Sequence, residues 1–135
     1  MQTYNYYVII TNKKGHDTMK KLITLNLFKE RRLEQEYKDI KAIEKDSEYI
    51  LSLDGVKTII GTTRFIRENN EFKFELDIKE RTCTYYLKEK NMSFDIEVEK
   101  VMYKKEKSNI ILEYKISSDE ETFKIEIKIE DDINE

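Results

Sequence analysis

The sequence predicts an all-β protein, an antiparallel up-and-down meander closed into a small barrel of about eight strands. Apolar and charged residues alternate along most of the 135-residue chain, which puts an apolar and a charged face on opposite sides of an extended backbone. Turn-forming residues separate the alternating runs, and the chain contains no proline to interrupt a strand. With no helices to cover them, such strands bury their apolar faces in a barrel or a sandwich.

The individual strands follow from the alternation. In 71–78, every second residue from Phe72 to Ile78 is apolar, and the residues between them are charged. A strand of this kind has one face in the core and one in solvent. The pattern recurs in four further runs, 22–28, where it is less regular, 92–99, 110–116 and 123–129.

Turn signals lie between these runs. Asp54-Gly55 is a strong hairpin signal because both residues tolerate a positive φ, and Asn69-Asn70 is a weaker signal of the same kind. Short reversals between consecutive strands give an antiparallel meander. Polar residues mark three further reversals, Lys90-Asn91, Lys107-Ser108-Asn109 and Ser117-Ser118-Asp119.

One stretch, 31–48, fits a helix better than a strand by spacing alone. Its apolar residues are separated by four, three and three positions, and Glu34 stands four residues before Lys38. This arrangement is typical of an amphipathic helix. The apolar residues concerned are Leu33, Tyr37, Ile40 and Ile43.

The chain resembles a known family through six runs: 48–53 (EYILSL), 56–60 (VKTII), 65–67 (FIR), 81–86 (RTCTYY), 91–96 (NMSFDI) and 110–114 (IILEY). Over 20–129 it is similar to the YwiB-like family of uncharacterised bacterial proteins, which are small antiparallel β-barrels with a calycin-like shape. The resemblance implies that 31–48 is extended, and we follow it there. It implies no activity and no catalytic residues. The family tends to have glycine soon after the position of Arg67 and at that of Asn91, and asparagine also tolerates left-handed turns.

The length and the absence of a linker rich in proline or glycine predict a single folded domain. We expect the barrel to comprise 19–130, preceded by an N-terminal extension, 1–18, and followed by an acidic tail, 131–135. Within the extension, we expect 4–11 to form a strand or to pack on a neighbouring chain, because an ordered terminus is usually held by contacts.

The location of the protein follows from its apolar runs and its cysteine content. The longest apolar run, 6–10, is far too short for a membrane helix or the core of a signal peptide. A single cysteine, Cys83, cannot form an internal disulfide, which fits a reducing compartment. We therefore predict a cytoplasmic protein with no membrane partner.

The rare residue types exclude several chemistries. Zinc needs three or four ligands drawn mainly from Cys and His, and the chain has only His16 and Cys83. We interpret His16 as a solvated loop residue and Cys83 as a small core residue, so no nucleophile has a base beside it. Three scattered glycines cannot form a phosphate-binding loop. We predict no catalytic residue, no metal site and no cofactor, and leave open only a hydrolase or lyase that uses carboxylates alone.

The remaining candidate site is formed by arginine and tyrosine. Three of the five arginines are Arg64, Arg67 and Arg81, and Tyr86 follows soon after them. The guanidinium group presents a planar fork of donors to a carboxylate or a phosphate, and a small barrel can hold one ligand. We predict that these four residues bind an anion, with Arg67 and Tyr86 ranked first, whereas the alternative is that they lie on solvated strand faces.

Two functions remain open. The first, which we favour, is a non-enzymatic binding module for a small apolar or anionic ligand. The alternative is a structural or protein-interaction module with a side-chain-filled barrel, which forms a homodimer through strand edges or through Tyr4, Tyr6 and Tyr7. A nucleic-acid partner is not expected, because 25 Lys and Arg against 28 Asp and Glu leave a net charge of -3 and such proteins carry a basic face.

Overall fold

A computed structural model describes residues 18–117 and 120–132. The predicted N-terminal extension therefore lies outside the described residues except for Thr18, and the predicted acidic tail is described only at Asp131, which ends the last strand, and at Asp132. The described chain contains no helix, and so none that is long and apolar enough to cross a membrane. Its ten strands are β1 (Met19–Lys29), β2 (Arg32–Lys45), β3 (Glu48–Leu53), β4 (Val56–Gly61), β5 (Arg64–Glu68), β6 (Phe72–Asp77), β7 (Thr82–Leu87), β8 (Met92–Glu106), β9 (Asn109–Ile116) and β10 (Phe123–Asp131).

The ten strands form one closed antiparallel barrel. Each strand pairs with the next along the chain, and β1 also pairs with β10, so the sheet closes on itself. This confirms the predicted all-β, up-and-down barrel, with ten strands rather than about eight. The alternation did not mark the short strands β4 and β5, because each carries apolar residues on both of its faces.

Strand β2 shows that the helix indicated by spacing is wrong and that the extended conformation implied by the resemblance is right. Tyr37 and Ile40 both pack against the core, although residues three apart in a regular strand face opposite sides. The pairing of β2 with β1 shifts in register between these two residues, and Asp39 has a φ of 54°. An inserted residue in such a β-bulge moves the next side chain to the other face, which imitates helical spacing.

The hairpin turns rely on positive φ angles more than on glycine. Three turns have two successive residues with φ above zero, as type I′ turns require, and only Asp54-Gly55 among them contains glycine. The other two turns are Glu30-Arg31 and Asp46-Ser47. Asn91, which stands where the resembled family has glycine, also adopts the left-handed region, with a φ of 51°.

The barrel has two ends with different structures. We define the open end as the one that carries the turns after β1, β3, β5, β7 and β9, and the closed end as the one that carries the other turns. Side chains fill the interior toward the closed end, where Ile23, Ile60, Leu76 and Ile110 are fully buried. The buried core comprises Ile23, Leu25, Ala42, Tyr49, Leu51, Leu53, Ile60, Phe65, Leu76, Cys83, Ile110, Leu112, Ile125, Ile127 and Ile129.

Candidate functional site

A cavity of about 440 Å³ lies inside the barrel toward the open end. Its wall is mainly apolar, with Leu25, Leu27 and Leu53 toward its interior. Ile125 and aromatic side chains from six strands form the rest of the apolar wall, the aromatic residues being Phe28, Phe65, Phe72, Phe74, Tyr85, Tyr114 and Phe123.

The aromatic side chains contact one another around the cavity. Phe65 meets Phe74 edge to face, with ring centroids 6.1 Å apart and an interplanar angle of 70°. Phe72 stacks on Tyr85 at 5.7 Å, and Tyr114 lies 6.1 Å from Phe65. Each such ring pair stabilises the structure by about 0.5–1.5 kcal/mol beyond the contribution of the apolar area that it buries. The contacts therefore hold the rings in place. The cavity wall is therefore preorganised rather than collapsed.

Arg67 places a cationic group in this wall. It stands two residues after Phe65 on β5, so both side chains point into the barrel while Ile66 between them points out. Its Nη2 donates a long hydrogen bond of 3.4 Å to the carbonyl oxygen of Leu53, and its buried Nε has no hydrogen-bond partner. The ion pairs among the described residues all join other groups. Within the described chain, the guanidinium group thus has no carboxylate within 4.0 Å.

Thr58 is the polar neighbour of Arg67. The two residues are register partners on β4 and β5, both line the cavity, and Thr58 is only 1% exposed. The Thr58 hydroxyl donates to the carbonyl oxygen of Val56 at 3.2 Å. Because a hydroxyl hydrogen rotates, this group can instead donate to a ligand oxygen. Arg67 and Thr58 together form a small polar area in an apolar cavity.

A hydrogen bond closes a gap in the barrel wall next to Arg67. Residues 32–41 of β2 pair with β1, whereas β3 pairs with β2 only from Ala42 onward. Across this gap, the hydroxyl of Tyr37 donates to Oδ2 of Asp54 at 2.6 Å. Burial and this hydrogen bond raise the pKa of Tyr37, and the nearby positive charge of Arg67 acts against them. The Tyr37 hydroxyl is therefore neutral at physiological pH.

The other cations of the cavity lining already have carboxylate partners. Nζ of Lys29 lies 3.3 Å from Oε1 of Glu121, and Nζ of Lys124 lies 3.3 Å from Oε2 of Glu126. The ammonium group of Lys124 also lies over the ring of Phe28, 4.7 Å from the ring centroid. Arg67 differs from both lysines because its charge is turned inward and meets no carboxylate among the described residues. The lining thus combines two lysines paired with carboxylates, one glutamate, Glu34, and one guanidinium group that has no carboxylate within 4.0 Å among the described residues.

The structure does not bring the other three predicted site residues to this cavity. Arg64 lies on the outer face of β5, where its Nε donates to Oε2 of Glu48 at 2.6 Å. Arg81 is exposed in the turn between β6 and β7. The hydroxyl of Tyr86 donates to Oδ1 of Asn91 at 2.6 Å and so fastens the β7–β8 turn.

Sequence reasoning missed Thr58, Tyr37 and the aromatic wall. Thr58 belongs to a run with apolar residues on both strand faces, so alternation gives no direction for its side chain. The β-bulge near Asp39 interrupts the alternation of β2, so the sequence does not show that Tyr37 packs against the core. The aromatic wall did carry a signal, because Phe72, Phe74 and Tyr85 occupy the apolar positions of alternating strands. What the sequence lacks is the information that these strands leave space between them.

The described residues show no group of three or more His, Cys, Asp or Glu side chains placed to hold a metal ion. Cys83 is 2% exposed, as its interpretation as a core residue required, and burial raises the pKa of its thiol to about 11. A protonated, inaccessible thiol is a poor nucleophile. His16 lies outside the described residues.

Comparisons with protein-family models, with curated proteins and with solved structures found no match to this chain. The likeness to the YwiB-like family therefore stays an expectation from the sequence.

Proposed function

We propose that this protein is a non-enzymatic binding module for a small molecule that has an apolar body and a single carboxylate. The observation that carries the proposal is Arg67, a cation without a carboxylate partner among the described residues, set in a cavity of about 440 Å³ with an aromatic wall. The carboxylate would pair with Arg67, and the apolar body would lie against the rings.

The electrostatics of Arg67 support an anionic partner. A guanidinium group stays charged at any physiological pH, and a charge in an apolar environment is unfavourable unless it is paired. The buried Nε of Arg67 has no acceptor among the described residues. A carboxylate supplies two oxygens in the geometry of the guanidinium fork, and such charge-assisted bonds are about twice as strong as neutral ones. Ligand binding would then supply the acceptor that the described chain does not.

The cavity itself supports a small ligand with an apolar body. Its volume lies within the range of roughly 300–1,000 Å³ that is usual for small-molecule sites. Apolar surface transferred from water to such a wall contributes about 25 cal/mol per Å². Two polar residues of the wall, Thr58 and Arg67, are register partners on β4 and β5, so they would fix the orientation of the ligand rather than bind its whole length.

Paired probes test this proposal. Decanoate and decanol share an apolar chain and differ in the carboxylate. A ligand that binds only the folded state stabilises it. We therefore expect decanoate to raise the melting temperature of the protein more than decanol does. Arg67→Met should remove the advantage of decanoate over decanol. Isothermal titration with both probes gives the corresponding affinities.

Arg64→Met and Arg81→Met serve as matched controls, because each removes one arginine that lies away from the cavity. Both variants should keep the preference for decanoate. Equal stabilisation by the two probes, or an unchanged preference in Arg67→Met, would contradict the proposal. Loss of the preference in either control would instead indicate nonspecific attraction by surface charge.

A further inference from the structure

Four isoleucines form a continuous row on the outside of the barrel. Ile43 of β2 pairs with Ile50 of β3, Ile50 with Ile59 of β4, and Ile59 with Ile66 of β5. Register partners on adjacent strands project from the same face of a sheet. We call these four residues the isoleucine row.

The direction of the row follows from the neighbouring residues. Ala42, Leu51, Ile60 and Phe65, each adjacent in sequence to one member of the row, belong to the core inside the barrel. Because successive side chains of a strand alternate, the isoleucine row faces outward. None of its members belongs to the core cluster.

Polar residues limit the row at both ends. Beyond Ile43, the register partner on β1 is Lys20, and beyond Ile66, the partner on β6 is Glu75. The row is therefore a defined apolar band on an outer surface that is otherwise rich in charge. Single exposed apolar residues are common, whereas a contiguous set marks a contact site.

Burial along the row is uneven. Ile43 is 46% exposed, but Ile59 and Ile66 are only 8% and 3% exposed although they face outward. Exposure is therefore greatest at the β2 end of the row, next to β1, the strand that follows the N-terminal segment.

We propose that the chain's own N-terminal segment, residues 1–17, covers the isoleucine row. The segment joins the barrel at Thr18, and two residues later Lys20 pairs with Ile43, the first member of the row. The segment also contains the longest apolar run of the chain, 6–10 with the sequence YYVII. The N-terminal segment thus joins the barrel next to the surface that we propose it covers.

The lengths allow this arrangement. Strands lie about 4.8 Å apart, so the row spans about 14 Å from β2 to β5. Residues 11–18, which connect the apolar run to β1, reach about 26 Å when extended. A tether of this length also gives the segment a high effective concentration at the row, of the order of millimolar, an advantage that a second copy of the chain lacks.

Paramagnetic relaxation measures the contact directly in the full-length chain. In Asn5→Cys, a maleimide spin label should react only at the new cysteine, because Cys83 is buried, and the labelled wild type checks this. We expect the isoleucine methyl signals of Ile59 and Ile66 to lose most of their intensity. Ile111 faces outward on β9, on the opposite side of the barrel, and should keep most of its intensity.

A mixed sample identifies the covering molecule. Spin-labelled chains without isotope are mixed with isotope-labelled chains without a spin label, and the intensities of Ile59 and Ile66 should then stay unchanged. Broadening in the mixed sample would show that a second copy is the occupant and would overturn the proposal. Equal intensities for the row and for Ile111 in the singly labelled protein would overturn it as well.

A second variant tests the chemistry of the contact. Ile9→Asp in the spin-labelled chain should restore at least half of the lost intensity at the row, because a carboxylate does not bury favourably against isoleucine. Lys14→Asp makes a charge change in the connecting stretch and should leave the broadening unchanged. Broadening that persists in Ile9→Asp would exclude an apolar contact through 6–10.

Discussion

The two ends of the barrel are formed by the same ten strands but differ in how their buried polar groups are treated. At the closed end, the hydroxyl of Tyr49 donates to Oε2 of Glu44 at 3.1 Å and accepts from Nζ of Lys105 at 3.1 Å. At the open end, the Nε of Arg67 is buried and has no hydrogen-bond partner in the described part of the chain. A buried polar atom without a partner costs about 1–3 kcal/mol. The difference shows that alternation along a strand determines which face is inside the barrel. It does not determine whether the polar atoms on that face find hydrogen-bond partners.

Packing differs between the ends in the same way. Aliphatic side chains fill the closed end, whereas the aromatic rings at the open end surround a cavity. Protein interiors are normally packed as densely as organic crystals. The closed end therefore supplies stability, and the open end supplies the binding site that we propose.

The largest expected effect is on the free energy of unfolding when the same substitution is made at both ends. Leu112→Ala removes a fully buried side chain outside the cavity and should cost about 3–5 kcal/mol, because the void cannot be filled. Leu27 is partly buried and already lines the cavity, so Leu27→Ala should cost no more than about 2 kcal/mol. Urea unfolding of both variants gives the comparison.

Equal losses in the two leucine variants would mean that the cavity is filled in solution. In that case, the distinction between the ends would fail, and with it the volume available for a ligand. A larger loss in Leu27→Ala than in Leu112→Ala would reverse the assignment of the stabilising end.

The next effect concerns pH and tests how well the closed end excludes water at Cys83. Burial raises the pKa of this thiol from 9.0 to about 11, so between these pH values the folded state keeps a proton that the unfolded state releases. Stability should fall in this window by about 1.4 kcal/mol per pH unit from this group, and the contribution is constant below pH 9. Cys83→Ala should lack this component of the slope, which unfolding at a series of pH values measures.

The contribution of Cys83 is the difference between the slopes of the two proteins, because lysines and tyrosines titrate in both. Parallel stability curves for wild type and Cys83→Ala between pH 9 and 11 would contradict the buried position of the thiol. Native-state reaction with a thiol reagent should then also be fast rather than slow.

Much of this fold could be predicted from the sequence, and the failures have identifiable causes. Regular alternation in β6 and β10 identified strands and their inner faces correctly. In β2, the bulge at Asp39 changed the parity of the pattern, so Tyr37 and Ile40 took on helical spacing. Local patterns describe single strands, whereas a bulge is a property of a pair of strands.

The candidate site was predictable only in part, for a related reason. Arg67 was ranked among the ligand-binding residues together with Arg64, yet these residues three positions apart on one strand face opposite sides of the barrel wall. The sequence shows which residue types are present, but the side of the barrel wall that each side chain faces depends on the strand register. The size of the cavity depends on how side chains from nine strands meet, which no local pattern contains.

A smaller effect on the free energy of unfolding is expected to differ in sign between a polar group of the closed end and one of the open end. Tyr49→Phe removes a satisfied hydroxyl and should destabilise the protein by about 1 kcal/mol. Arg67→Met replaces a part-buried guanidinium group, which has no carboxylate partner among the described residues, by an apolar chain of similar length and should leave stability unchanged or raise it by about 1 kcal/mol. Denaturant midpoints for both variants, without added ligand, make the comparison. Destabilisation of similar size in both would show that Arg67 serves the fold rather than a ligand.

The smallest expected effect tests the outer surface of the closed end at Gly61. A methyl group added there would lie 2.7 Å from Cγ of Glu48, whose carboxylate is held by Arg64 at 2.6 Å. Gly61→Ala should therefore displace Glu48, weaken this ion pair and lower stability by about 0.5–1 kcal/mol, since partly exposed pairs contribute little. In Glu48→Ala the obstructing side chain is gone, so Gly61→Ala should then cost less, and a double-mutant cycle measures the difference. Additive effects in that cycle would show that the glycine is not needed for the path of Glu48 across β4.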